Sequence, residues 1–205
     1  MGCFVINRIR SQLIAPLNAN LNANIVDSEN EAAVLIAITD SNHSPSMVLT
    51  RRASHMNSHA GEVAFPGGKV DPADADLIAT ALRESYEEIG LAMSAVDIVG
   101  VLPSAKSKFG LQVTPVVGII PEDVLLVANE DEVDSIFQVP MQFFIDNEPE
   151  HNHEVRYGGN DYILPCYRFE NYVIWGLTVY FIGNLLNQVY DLGLDLSISR
   201  NMVKK

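Results

Sequence analysis

The stretch "GGKVDPADADLIATALRESYEEIG", Gly67 to Gly90, constrains the fold of this chain more than any other. Asp and Pro at its front and Gly90 at its end bracket a helix. Ile78, Leu82, Ser85, Tyr86 and Ile89 recur at helical spacing and predict its buried face, with the glutamates outside that face. Glu84 lies three residues before Glu87 and four before Glu88, so the three carboxylates project from adjacent turns. Like charges at that spacing repel by roughly a few tenths of a kcal/mol per pair, and a shared divalent cation offsets the repulsion. Oxygen-only ligands suit Mg²⁺ or Mn²⁺. Arg83, four before Glu87, is placed to orient that carboxylate. Gly67 and Gly68 let the loop backbone come close to a ligand and bring carbonyls near the cation. Taken alone, a helix reading "RESYEE" is a solvated face. The glycine pair before it and the missing compensating lysines favour metal-assisted phosphate chemistry.

The flanks of this helix have strand composition. "AAVLIAITD" and "SMVLTRR", separated by the turn-like "SNHSP", predict a hairpin, and "GEVAF" a further short strand closed by "PGG". "VDIVGVLP", "QVTPVVGII" and "EVDSIFQVP" predict three more strands, and "MQFFID" a short helix. "HEVRYGGNDYILPCYRFENYVIWG" predicts two or three strands around a Gly-Gly turn, before a final apolar helix through "LTVYFIGNLLNQVYDL". Ile6 to Leu17 predicts a short amphipathic helix, followed by the connector "NANLNAN". No internal repeat interrupts this order, which gives a mixed α+β domain with strands before and after one central helix and another helix at the end. The expected division is 1–31 for the helix and connector, 32–191 for the domain, and 192–205 for a tail.

Composition narrows the chemistry. Thirteen basic and twenty-six acidic residues give a formal charge of −13, which disfavours nucleic-acid backbones as partners. Two cysteines, Cys3 and Cys166, are too few for a disulfide framework or a cysteine-built zinc site, and point to a reducing cytoplasm. The amino terminus lacks the pattern of a secretory signal. The longest apolar run, "YVIWGLTVYFIGNLL", falls short of the roughly 20 residues that span a bilayer, so no membrane association is expected. His55 and the pair His151 and His153 have no supporting cysteine or carboxylate pattern and read as solvated loop residues.

Gly68, Arg83, Glu84, Glu87, Glu88, Gly90 and Leu91 resemble the Nudix box, the loop-helix-loop signature of enzymes that hydrolyse a nucleoside diphosphate linked to another group. One departure is plain. The family places a Glu eight residues before the Arg, and here that position is Ala75, in a box one residue longer than usual. Asp74 or Asp76 is the candidate to take its place. The preceding "LTRRASHMNSHAGEVAFPGG" resembles the extension of the coenzyme A pyrophosphatase branch, whose box is lengthened in this way. "VTPVVG", "EVDSIFQVP" and "IWGLTVYFI" continue the similarity from Ala32 to about Leu186.

The resemblance implies a Nudix fold, an α/β/α sandwich around a mixed β-sheet with a loop-helix-loop metal site. It implies hydrolysis of coenzyme A or acyl-CoA, a small-molecule substrate, at its diphosphate, giving adenosine 3′,5′-bisphosphate and a 4′-phosphopantetheine. Arg83, Glu84, Glu87 and Glu88 would be catalytic; Gly68, Glu84, Glu87 and Glu88 would hold one to three Mg²⁺ or Mn²⁺ ions. Arg51, Arg52, His59 and Lys69 are the expected substrate-binding groups, His59 on its match to the extension. Glu88, Glu130 and Glu132 stand as candidates for the general base. A homodimer is compatible with the resemblance. Hydrolysis of another nucleoside diphosphate derivative, and a silent binding module on the same fold, remain as alternatives; the extension argues against the first and the intact glutamates against the second.

Overall fold

The computed structural model describes residues 5–13, 29–56, 60–108, 110–157, 159–196 and 199–200. Its framework is an eight-stranded sheet built from β1 (Glu31–Thr39), β2 (Ser46–Arg52), β3 (Val63–Ala64), β4 (Gly67–Lys69), β5 (Asp97–Val101), β6 (Ala105–Lys106), β7 (Gln112–Ile120) and β8 (Val133–Pro140). The central path runs β3-β2-β1-β7-β5, while β4 pairs with β1, β6 with β7 and β8 with β2. β1 and β7 run parallel from Glu31↔Gln112 to Thr39↔Ile120, and the other pairings are antiparallel, so the sheet is mixed.

The apolar run of β1 reflects a strand covered on both faces. Ala33, Leu35 and Ala37 point to one side, where they meet Leu77, Ala81 and Ile89 of the helix α2 (Leu77–Ile89). Ala32, Ile36 and Ile38 point to the other. There they pack with Val5, Ile6, Ile9 and Leu13 of α1 (5–13), with Phe144 of α3 (Met141–Asp146), and with Phe181, Ile182 and Leu185 of α4 (Leu177–Tyr190). A second sheet joins this outer layer, formed by β9 (Glu150–Tyr157), β10 (Asn160–Phe169), β11 (Tyr172–Trp175) and β12 (Ser199–Arg200). The expected hairpin, post-helix strands, short helix and final helix are all present. α1 is described over residues 5–13, and the rest of the expected Ile6–Leu17 span, the connector and Cys3 lie outside the described residues. His151 and His153 lie on β9 rather than in a solvated loop, and His153 is half-buried against Trp175, with ring centroids 4.8 Å apart.

α2 starts later than its acidic front suggests. Asp71 and Asp74 belong to a turn closed by the Asp74 backbone N donating to the Asp71 carbonyl at 2.9 Å. Asp76 is the N-cap, its carboxylate accepting from the Ala79 backbone N at 2.8 Å, a contact worth about 1 kcal/mol. Gly90 ends the helix in the left-handed region at φ 67°, and its N–H donates to the Tyr86 carbonyl. The buried stripe is also rotated from the expected one. It consists of Leu77, Thr80, Ala81, Ser85, Glu88 and Ile89, whereas Tyr86 is 55% exposed and Ile78 and Leu82 flank the stripe. Small residues face the sheet because α2 packs closely over β1 and the glycine pair of β4. The space those glycines leave admits carboxylates, and the glutamates are therefore not all outside.

Candidate active site

β4 is a strand of two glycines and a lysine, and its geometry explains both glycines. A Cβ on Gly67 would lie 2.3 Å from the Ala33 carbonyl oxygen, and one on Gly68 would lie 2.4 Å from the Glu84 carboxylate. Neither approach is tolerable for a real side chain, so any larger residue would have to displace the strand or the carboxylate. Gly67 also donates its backbone N–H to Glu88 Oε2 at 3.1 Å. The loop and helix of the site are thus joined through two carboxylates.

Arg83 organises the opposite side. Its Nε and Nη2 donate to the two oxygens of Asp74, both at 2.9 Å, and Nη2 also reaches the Lys69 carbonyl at 2.9 Å. Nη1 donates to Glu84 Oε1 at 2.9 Å and to Glu87 Oε2 at 2.8 Å. These bonds engage all the donors a guanidinium has. Asp74 further accepts from the Thr80 hydroxyl and the Asp71 backbone N. The Arg83 guanidinium bonded to it holds the Asp74 carboxyl down at about 2. Of the two aspartates expected near the missing Glu, Asp74 is the one that engages Arg83, and Asp76 is committed to capping.

The three glutamates occupy different environments. Glu87 is half-exposed and bonds Arg83. Burial pushes the Glu84 carboxyl upward against the opposing effect of Arg83. Glu88, 3% exposed, is pushed up to about 7 by burial, with the negative charges of Glu132 and Glu84 adding to the rise. The Gly67 N–H and the Arg52 guanidinium, 3.5 Å from Glu88 Oε1, act in the opposite sense. Glu132 sits in the β7–β8 connection, which is pinned to the end of α2 by Val127 N donating to the Ile89 carbonyl and Asn129 N to the Glu88 carbonyl, each at 2.9 Å.

The remaining expected site residues divide. Arg52 reaches the centre through Glu88. Arg51 does not: its side chain lies over the Tyr172 ring, 5.6 Å from the centroid, with Asp134 at 3.8 Å. The β2–β8 register shifts between Arg51 and Arg52, and the two side chains contact different groups, Tyr172 and Asp134 on one hand and Glu88 on the other. Lys69 is exposed, and its backbone carbonyl is the part that meets Arg83. Glu132 senses Glu84 and Glu88, while Glu130 is exposed. His59 lies outside the described residues. Neither Arg52 on Glu88 nor Asp74 on Arg83 is visible in helical periodicity, since both contacts cross between elements; the one available signal was the row of Asp residues before the helix.

The donor set fits a hard divalent cation in kind: only oxygens, a buried and a half-buried carboxylate whose pKa values their surroundings raise, and a glycine strand against Glu84. It is not gathered onto one point. Among the described residues no group of three or more His, Cys, Asp or Glu side chains is clustered to hold a metal. Arg83 Nη1 ties Glu84 to Glu87, and Gly67 and Arg52 hold Glu88 aside, so a cation would take over contacts these donors now make.

A protein 43% identical over 159 residues, covering 78% of this chain and 82% of its own length, is the uncharacterized Nudix hydrolase NudL of Enterobacter sp. strain 638. NudL of Salmonella dublin is 41% identical over 180 residues, covering 88% of this chain and 91% of its own. The crystal structure of a MutT/nudix family protein from Enterococcus faecalis shares the fold, with a TM-score of 0.51 at 14% identity over 85% of this chain and 68% of that one. The model of the NUDIX domain matches residues 29–157, which hold the glycine strand, the Arg83 hub and all three glutamates. By that match and these relatives, the chain belongs to the NUDIX domain family.

Proposed function

We propose that this Nudix hydrolase cleaves the diphosphate of coenzyme A or acyl-CoA to adenosine 3′,5′-bisphosphate and 4′-phosphopantetheine or its acyl form. The observation that carries the reaction class is the pair of carboxylates, buried Glu88 and half-buried Glu84, set against Gly67 and Gly68, with Glu84 braced by Arg83. The substrate rests on the "LTRRASHMNSHAGEVAFPGG" extension, whose β2 and β3 segments border the site.

Glu84, Glu87, Glu88 and the Gly68 backbone would hold Mg²⁺ or Mn²⁺. The bound ion supplies charge neutralisation of the diphosphate and activation of water. The chain's own residues do the rest. Arg83 fixes the rotamers of Glu84 and Glu87, and Asp74 fixes Arg83. Gly67 N–H and Arg52 fix Glu88. Water adds to one phosphorus, the bridging P–O bond breaks towards the other phosphate, and the water proton passes to a carboxylate. Glu88, held by the Gly67 N–H and Arg52, is one candidate acceptor. Glu132 is the alternative acceptor, since it alone of the two loop candidates acts electrostatically on Glu84 and Glu88.

The test is a substrate panel with millimolar Mg²⁺ or Mn²⁺. Coenzyme A should exceed ADP-ribose, NADH and nucleoside triphosphates in kcat/KM and yield the two products in equal amounts. Preference for ADP-ribose would overturn the substrate, and metal-dependent binding without turnover of any of them would overturn the reaction.

A further inference from the structure

The side of β2 that carries Arg51 opens onto a groove of about 250 Å³, lined in part by Arg51, Glu62, Val63, Tyr172 and Trp175. One wall is β3 and the turn before it, within the NUDIX match; the other is β11, which lies beyond residue 157 where that match ends. The groove is too small for a whole cofactor-sized ligand, for which roughly 300–1,000 Å³ is usual, and suits one end of it.

Its walls are aromatic, and its two cations, Arg51 and, at the margin, Lys108, each stand beside a carboxylate. The Tyr172 ring is held by Phe137, stacked at 3.6 Å and 5°. Trp175 is held by His153 and has Lys108 Nζ 5.7 Å from its ring centroid. Lys108 also meets the Glu62 carboxylate at 3.4 Å. Arg51 Nε is buried and makes no hydrogen bond among the described residues, and the Asp134 carboxylate at 3.8 Å is beyond hydrogen-bond range. The Arg51 side chain as a whole is 36% exposed, so a ligand in the groove can reach the guanidinium, where a phosphate would add a charge-assisted hydrogen bond that Asp134 does not make. In a chain of net charge −13, two cations beside fixed aromatic rings form a selective place for a planar ring carrying phosphate.

We propose that this groove is the subsite for the phosphorylated adenosine end of the substrate, the purine against the Tyr172–Trp175 wall and the ribose phosphate on Arg51, with Lys108 at the margin. The inference rests on the coenzyme A reading and assigns the two arginines separate tasks: Arg52 at Glu88, Arg51 at the nucleotide. It also places recognition on a hairpin outside the NUDIX match.

Trp175 is the only tryptophan in the chain, so its fluorescence reports occupancy directly. The full-length protein, in EDTA to prevent turnover, is titrated with adenosine 3′,5′-bisphosphate, with AMP and with 4′-phosphopantetheine. The bisphosphate should give a saturable change and AMP should bind about tenfold or more weakly. 4′-Phosphopantetheine should give no change. Arg51→Met should weaken the bisphosphate about tenfold and leave AMP unaltered, and Arg51→Lys should restore part of the loss, with circular dichroism confirming the fold of each. A response to 4′-phosphopantetheine, or equal bisphosphate affinity in wild type and Arg51→Met, would overturn the subsite. Hydrolysis of coenzyme A by a protein whose Trp175 ignores the bisphosphate would overturn the groove and leave the substrate reading standing. A saturable bisphosphate signal without coenzyme A hydrolysis would do the reverse.

Discussion

Glu88→Gln should change the pH dependence of stability in a way that follows from its burial. The carboxyl is raised from 4.5 to about 7, so the folded state favours its neutral form. Folding therefore gains from this group below pH 4.5, and the gain is lost as pH rises through 7. A difference of this size corresponds to about 3 kcal/mol. Gln keeps the acceptor for the Gly67 N–H but does not titrate. In EDTA, the stability of Glu88→Gln relative to wild type should thus rise by about 3 kcal/mol between pH 4.5 and pH 8.5. For a chain of this size that is a relative Tm gain of about 6–12 °C. Urea denaturation at a series of pH values, followed by circular dichroism, measures it. Adding Mg²⁺ at pH 8.5 should narrow the gap, because an ion that binds only the folded wild type stabilises it by mass action. Parallel pH profiles for the two proteins would refute the burial argument and the assignment of Glu88 to a desolvated site.

Two further outcomes follow from the Arg83 hub and the glycine strand. Asp74→Asn should lower stability at pH 7 by about 2 kcal/mol, a contribution present above pH 3.8 and lost as pH falls through about 2, read by thermal melts from pH 2 to pH 7. Gly68→Ala, whose Cβ would meet the Glu84 carboxylate at 2.4 Å, should lower kcat at least about a hundredfold in a protein that still folds, measured by product release at saturating Mg²⁺.

The strands were legible in sequence because β1, β2 and β7 are covered on both faces, which leaves long apolar runs bounded by turns. The end of α2 was legible because Gly90 takes the left-handed cap. Its start was not, since Asp71, Asp74 and Asp76 look alike in sequence. One closes a turn, one binds Arg83, and only the third caps the helix. The buried face was misplaced for a related reason. Apolar counting assigns Tyr86 to the core and Glu88 to solvent, but the missing side chains of Gly67 and Gly68 make room for carboxylates there. The Arg83 to Glu87 contact is local and follows from spacing. Asp74 was one of two candidates that the box pattern offered, and only the structure chooses it over Asp76. The Arg52 and Glu132 interactions, and the Arg51 to Tyr172 contact with the second sheet, join elements distant in sequence, and helical or strand periodicity does not encode them.

The central claim is that the box glutamates act on a diphosphate, and Glu87 tests it most directly. Its side chain is 49% exposed and bonds Arg83 on the surface, where such a pair contributes at most about 1 kcal/mol. Glu87→Gln should therefore leave the melting temperature within about 4 °C of wild type. At saturating Mg²⁺, coenzyme A turnover should fall about a thousandfold, equivalent to about 4 kcal/mol of transition-state stabilisation. A well-folded Glu87→Gln protein that turns over coenzyme A at the wild-type rate would contradict the account.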